Sequence, residues 1–402
     1  MKKSIPSLAF VFFFLMTLQN AFALEYGIDR INEPAFAGMF AGKRLAVLTH
    51  AAGVSKNGEH LIDLLNRSYN LKKIFAPEHG LRTTNDDYVK DTVDEKTNLP
   101  VISLYKQGSR APRASDLADI DAIVVDLQDV GLRYYTYFST IAEIMKVSAS
   151  QDKEVILLDR PNLLGGDVIE GKTLDPKLAG TFTAYHTVPT RHGMTLGELA
   201  RMINVENKMN VKLTIVPVQG WARESIISTL DRQWIPPSPA LTEIEQVEYY
   251  ALWGSLENFN VAVGRGKTNE EAFKILGAPW ISVEQSIALA EKLNAFHFDH
   301  IIFKPYSWVV SREIFVGQQV NGIRMEWSGG ETRSDELTYK VAQLLVQMFP
   351  DSINSAKMSS ATYGSKEIIE AIRNNVPWEE TRTLIDKEIN DFKIRRQPYL
   401  LY

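Results

Sequence analysis

No cysteine occurs anywhere in the 402 residues. That removes disulfide cross-links, thiolate metal ligands and a cysteine for lipid attachment, so stability must come from an apolar core, which this length permits. No block of lysines and arginines occurs either, and the formal net charge is −5, so composition gives no reason to expect a nucleic-acid partner. A GxGxxG loop after the first strand is missing, which leaves a dinucleotide cofactor without support. HExxH and repeated DxD spacings are missing too, and neither a metal nor another cofactor is expected. Internal repeats and low-complexity segments are absent. Hydrophobic content of 45% and charged content of 23% describe an ordinary globular protein, and two domains are the default at this length.

Long hydrophobic runs are scarce as well. The conspicuous one, residues 8–18, follows Lys2 and Lys3 and precedes Ala21-Phe22-Ala23. A charged start, a short apolar stretch and a small-x-small site read as a secretory signal peptide. The run is too short to span a bilayer comfortably, which sets a retained anchor aside as the alternative. The expectation is cleavage after Ala23, a secreted or periplasmic mature chain, and no stable membrane insertion of that chain.

What is present is alternation. Apolar β-type runs at 44–49, 72–76, 101–104, 122–125, 155–158 and 213–216 are interleaved with helical patterns at 59–66, 140–149 and 195–207. The last of these opens on Thr195 with Glu198 three residues on, the spacing of a capping box. Such βαβ alternation predicts an α/β fold, a Rossmann-like and mostly parallel sheet with helices on both faces. The proline-dense QWIPPSP at 233–239 marks a boundary. Beyond it, helices are expected at 243–253, 283–293 and 336–349 and strands at 301–304 and 323–327, a smaller mixed α/β domain.

The residues that follow each strand carry the chemistry, because in a parallel sheet these loops share one edge. The segment DAIVVDLQDVGLRYYTY (121–137) is the richest: a buried-type strand releases Asp126, Gln128 and Asp129, then Arg133 and three tyrosines, Tyr134, Tyr135 and Tyr137. Rings beside paired polar groups suit a sugar, which offers an apolar face and directional hydroxyls. Glu78 and His79 stand in a Gly-terminated turn after another strand, with Glu78 the acid/base candidate. Arg160 follows a third strand, and Glu170 follows the shaped loop DRPNLLGGDVI. A carboxyl at Glu170 facing Glu78 would complete the pair that glycoside hydrolysis normally uses. Arg191 and His192 lead into the helix capped by Thr195, where an anion could be held. Glu257, Asn260 and the glycine-flanked Arg265 form a further ligand loop. Asp126, Asp129 and His79 could alternatively hold a hard cation, which keeps a metal-dependent hydrolase open as a rival.

The strings PEHGLR (77–82), LPVISLY (99–105), DLQDVGLRYYTY (126–137), LDRPN (158–162), EG (170–171), RHGMTLGELA (191–200), WIPPSP (234–239), GRG (264–266), GAPW (277–280) and the terminal YLLY resemble, in one order, the NamZ-type exo-β-N-acetylmuramidases of glycoside hydrolase family 171. The resemblance runs over essentially the whole chain after the leader. With the signal peptide read at 1–23 and the proline-dense boundary at 233, it implies a Rossmann-like catalytic domain at 24–232, a C-terminal α/β substrate-binding domain at 233–402, and an active site in the cleft between the two domains. It further implies release of N-acetylmuramic acid from the non-reducing end of peptidoglycan fragments such as MurNAc-GlcNAc saccharides. The catalytic glutamate then falls on Glu78 and the second acidic residue on Glu170. His79, Asp126, Gln128, Asp129, Arg133, Tyr135, Arg160, Arg191, His192, Glu257, Asn260 and Arg265 become the substrate-binding set. The lactyl carboxylate of that sugar calls for an arginine clamp, with Arg133, Arg191 and Arg265 as candidates. Departures gather in the second half: Asn258, Phe259, Ala262 and Lys267 replace the family's usual Gly, Thr, Ser and Thr, and Ala240 and Ala272 also differ. A periplasmic amino-sugar binding protein that kept the cleft and lost turnover is the rival these changes motivate.

Overall fold

The computed structural model describes residues 23–82, 90–226, 228, 232–265, 271–353 and 360–402. The expected leader, apart from Ala23, lies outside the described residues, as do Gly266 and Lys267.

The first half builds a seven-stranded sheet in the order β3-β4-β2-β1-β5-β6-β7. Its strands are β1 (Arg44–Thr49), β2 (Asn70–Ala76), β3 (Thr92–Val93), β4 (Pro100–Ser103), β5 (Ala122–Asp126), β6 (Glu154–Leu158) and β7 (Lys212–Val216). All pairings are parallel except that of the two-residue β3 with β4. The central strands are apolar on both faces because both faces are covered: every residue of β5 and β6 is buried. The chain starts in the middle at β1, winds outward through β2 and β4, then returns to the other side of β1 as β5. The loops after β1, β2, β5 and β6 therefore converge on one edge, as the sequence predicts.

Helix α1 (Leu61–Ser68) packs on one face, with Leu61 and Leu65 joining Leu45, Val47 and Val124 in one apolar cluster. The other face carries α2 (Tyr137–Ser150) and α3 (Leu196–Glu206). Helix α3 starts at the expected capping box, since the Thr195 hydroxyl accepts from the Glu198 N–H at 3.2 Å and the Glu198 carboxylate accepts from the Thr195 N–H at 3.0 Å. Asp159, at the end of β6, reinforces that start by accepting from the Gly197 N–H at 2.9 Å and the Thr195 hydroxyl at 2.7 Å.

The second half holds α4 (Gln246–Trp253), an antiparallel sheet of β8 (Ile275–Ala278), β9 (Ile301–Val309) and β10 (Gln319–Trp327) in the order β8-β10-β9, and α5 (Val283–Asn294) against that sheet. Helices α6 (Ser334–Met348), α7 (Ser360–Tyr363), α8 (Lys366–Arg373) and α9 (Trp378–Arg396) complete it. One apolar cluster runs from Phe138, Leu199 and Ile203 beneath the large sheet to Leu252, Leu337 and Trp378, so both halves share a core. The terminal Tyr402 returns to the large sheet, where its hydroxyl donates to Asp159 at 2.7 Å and accepts from the Val218 N–H at 2.8 Å. No helix among the described residues is long and apolar enough to cross a membrane.

Candidate active site

A cleft of about 320 Å³ opens where the strand ends of the large sheet meet the second half. From the sheet come Glu78 and His79 after β2, Tyr105 after β4, and Tyr134, Tyr135 and Thr136 after β5. From the second half come Ser238, Leu241, Tyr250, Glu257, Arg265 and Phe273. The aromatic wall is continuous: Tyr250 meets Tyr134 edge-on at 5.5 Å and Phe273 at 4.5 Å between ring centroids.

Glu78 is held from two sides. Its backbone lies in a tight turn closed by the Gly80 N–H donating to the Pro77 carbonyl at 3.0 Å. His79 and Gly80 are both left-handed, with φ of 68° and 75°, a conformation few non-glycine residues adopt and one that local packing must hold in place. The Thr136 hydroxyl donates to Oε2 of Glu78. Across the cleft, Arg265 pairs with Glu257 at 3.4 Å, and both side chains remain partly open to solvent. Glu313 stands behind them, its Oε2 accepting from the Val263 N–H at 3.1 Å and its carboxyl pushed up to about 7 by burial. The cleft thus offers two carboxylates, one guanidinium, hydroxyls and rings, which is what an acidic sugar requires.

Known proteins share this architecture. The family model for the N-terminal part of the exo-β-N-acetylmuramidase NamZ matches residues 45–245, and that for its C-terminal part matches 248–402. The chain belongs to the NamZ exo-β-N-acetylmuramidase family. A peptidoglycan β-N-acetylmuramidase NamZ of Bacillus subtilis is 31% identical over 386 residues, 94% of this chain and 91% of that protein. Two crystal structures of DUF1343 family proteins from Bacteroides fragilis superpose with TM-scores of 0.84 and 0.74 at 31% and 26% identity, each covering 94% of this chain and 99% of its own.

Of the residues that the NamZ-like motifs single out, the cleft gathers Glu78, His79, Tyr135, Glu257 and Arg265. Glu170 and Arg191 are not brought there. They line a separate cavity of about 900 Å³, bounded also by Tyr249, Trp327 and Arg333. Glu170 accepts from the Ser334 hydroxyl at 2.7 Å and from Arg191 at 3.4 Å, and the two exchange backbone hydrogen bonds at 2.9 and 3.1 Å. Burial raises its carboxyl above the usual range while Arg191 opposes that shift. The expected Glu78–Glu170 pair is therefore split between two cavities, and Glu170 joins the large sheet's loops to the start of α6.

The floor residues are engaged internally. Asp126 and Arg160 form a buried two-pronged ion pair, one contact at 2.9 Å. With both carboxylate oxygens facing a guanidinium, Asp126 is a poor cation ligand, and no three His, Asp or Glu residues gather for a metal among the described residues. The Gln128 amide donates to the carbonyls of Asp129 and Pro161 at 3.0 and 3.1 Å. Arg133, 1% exposed, donates to the carbonyls of Lys172, Val188 and Thr362 at 2.7–2.9 Å, so it braces loops and does not face the cleft. His192 is buried, its ring pushed down to about 3 by burial and by Arg133 and Arg396. Asn260 takes a left-handed turn and donates to the Ser352 carbonyl at 3.0 Å. Asp129 accepts from the Gly131 N–H at 2.7 Å, its second oxygen has no hydrogen-bond partner, and burial pushes its carboxyl up to about 7. Gly131 is obligatory there: φ is 89°, and a Cβ would sit 2.2 Å from the Asn162 side chain.

Several cleft residues escape the motif reading. Thr136 lies inside the string quoted for the strand end, Tyr105 closes LPVISLY, and Ser238 sits in WIPPSP, while Tyr134 stands where its ring is expected. Tyr250 belongs to helix α4 and stands in no quoted motif, and only the packed structure shows its ring turned to the cleft.

Proposed function

We propose that this chain is an exo-acting glycosidase that hydrolyses the bond linking a non-reducing-end N-acetylmuramic acid to the next sugar of peptidoglycan-derived saccharides, working outside the cytoplasm in cell-wall turnover. The observation that carries this reading is Glu78, fixed by a hydroxyl at the head of an aromatic cleft that also presents Arg265. Glu78 gives its proton to the glycosidic oxygen as the C1–O bond breaks, and the departing sugar leaves as a neutral alcohol. Water adds to C1 and surrenders a proton, so the reaction yields two reducing-end sugars and regenerates the acid. Arg265 is the guanidinium placed to take the lactyl carboxylate, exchanging its contact with Glu257 for one with substrate. Glu257 is the second carboxylate of this cleft, and it orients the acetamido group or the water.

Hydrolysis of MurNAc-GlcNAc and of a chromogenic N-acetylmuramic acid glycoside tests the reading, with Glu78→Gln as the comparison. Turnover by the wild-type protein and loss of at least about a hundredfold in Glu78→Gln are expected. Calorimetric binding of muramic acid without any turnover would instead identify a binding protein.

A further inference from the structure

Thr136 occupies the N-cap position of α2, yet its side chain makes no capping bond. A hydroxyl at that position ordinarily accepts from an N–H of the first helical turn, a contact that stabilises the helix start. Here it donates to Oε2 of Glu78, and the Thr136 carbonyl is what the helix uses, accepting from the Thr140 N–H and hydroxyl, each at 3.0 Å. The diversion has a local cause. Thr136 lies between Tyr135 and Tyr137, and its N-cap backbone is αR, not the extended form that lets a side chain fold back over its helix. The hydroxyl is left pointing across to the turn after β2.

We infer that Thr136 is a positioning residue for the proton donor: by donating to Oε2 it leaves Oε1 as the oxygen that carries and delivers the proton. This rests on the role of Glu78 proposed above. A carboxyl has two oxygens, and a donor fixed on one disfavours a proton at that same oxygen. The acidic hydrogen is then confined to the oxygen left to the cleft, and the carboxyl plane is locked against rotation. Misplacing a reacting group by even about 1 Å can cost on the order of a hundredfold, so one hydroxyl suffices to matter. The same diversion predicts that the hydroxyl contributes little to the stability of α2, the opposite of an ordinary threonine cap.

The test compares Thr136→Val and Thr136→Ser with the wild-type protein on two substrates. MurNAc-GlcNAc has a poor leaving group that needs the proton, and a dinitrophenyl N-acetylmuramide has a good one that does not. Thr136→Val should lower kcat on the disaccharide by about tenfold or more with KM within about twofold, and should leave the dinitrophenyl substrate nearly unaffected. Thr136→Ser, which keeps the hydroxyl, should restore most of the disaccharide rate. Equal losses on both substrates, a disaccharide rate close to that of the wild type in Thr136→Val, or no rescue by serine would each overturn the inference. Absence of turnover by the wild-type protein, or full activity of Glu78→Gln, would overturn the function reading and this inference together. A dead Glu78→Gln beside an unimpaired Thr136→Val would overturn the inference alone.

Discussion

The Asp126–Arg160 pair separates substrate contact from scaffold most sharply, because both residues sit at the strand ends where a sugar floor is expected. Their side chains are 0% and 5% exposed. Asp126→Asn removes the negative charge and keeps the shape. The guanidinium then retains the Val54 carbonyl at 3.4 Å and the face of Tyr26 at 5.1 Å, with Asp29 as a further anion acting on it. None of these replaces a two-pronged carboxylate. Breaking a buried pair from one side typically costs about 3–5 kcal/mol, and the field of Asp29 places this case near the lower end, at about 3 kcal/mol. Replacing both partners, Asp126→Leu with Arg160→Met, should recover most of that loss, since no unpaired charge stays buried. Urea unfolding followed by tryptophan fluorescence measures both, and turnover of MurNAc-GlcNAc below the transition measures the site. Because neither side chain lines the Glu78 cleft, kcat and KM of the folded Asp126→Asn variant should stay within about twofold of wild type. A stability loss under about 1 kcal/mol, or a folded variant whose kcat/KM falls tenfold or more, would refute the structural assignment.

Three other outcomes follow from the same geometry. Asp129 titrates at about 7 in the folded chain and near 4 unfolded, so the folded state holds more protons between those values and stability falls as pH rises through that window. Asp129→Asn keeps the acceptor for Gly131 and should gain on the order of 4 kcal/mol relative to wild type at pH 8 and nothing near pH 4, read by denaturation at both values. Arg265→Ala should raise KM for N-acetylmuramic acid glycosides by about 10- to 100-fold while leaving glycosides without the lactyl group unaffected, the magnitude of one hydrogen-bonded ion pair. Glu170→Gln should cost about 1–3 kcal/mol in unfolding experiments but lower kcat/KM less than tenfold, whereas a catalytic carboxylate at Glu170 would lose a hundredfold or more.

The large sheet is legible because its strands are apolar on both faces and short, and each ends in a polar burst. The runs at 44–49 and 122–125 coincide with β1 and with β5 to within one residue. Helix α9 has no counterpart among the expected helices although its pattern is in the sequence: Trp378, Thr381, Ile385, Ile389, Phe392 and Arg396 fall on one helical face of a very polar segment. The two-residue β3 has no signal at all, since two residues cannot show a period. Site residues divide differently. The place of Glu78 at the cleft is legible because a turn that follows a strand of a parallel sheet opens on the edge where such turns gather. Arg133 is not, because its acceptors at Lys172, Val188 and Thr362 lie 39, 55 and 229 residues away. A motif shows that a guanidinium matters without showing whether substrate or backbone receives it.

The place of Glu170 in the second cavity has a physical logic that ties it back to the cleft. Helix α4 stands between the two cavities: Tyr250 faces the Glu78 cleft, while Glu248, Tyr249 and Leu252 face the cavity that Glu170 lines. Glu170 holds Ser334 at the start of α6, and one turn later Thr338 donates to the Leu252 carbonyl of α4 at 2.6 Å. A carboxylate on the large sheet's loops therefore fixes α6, α6 fixes α4, and α4 sets the position of the Tyr250 ring against Tyr134. Sequence comparison alone cannot separate such a residue from a catalyst, because losing either one damages the same cleft. The separation is energetic: a residue acting through two helices changes the shape of the cleft and so affects every substrate alike, whereas a proton donor affects substrates in proportion to how badly their leaving group needs the proton. The leaving-group comparison that tests Thr136 therefore also shows whether Glu170 donates the proton, while the size of the loss in Glu170→Gln shows whether it acts as a nucleophile or base.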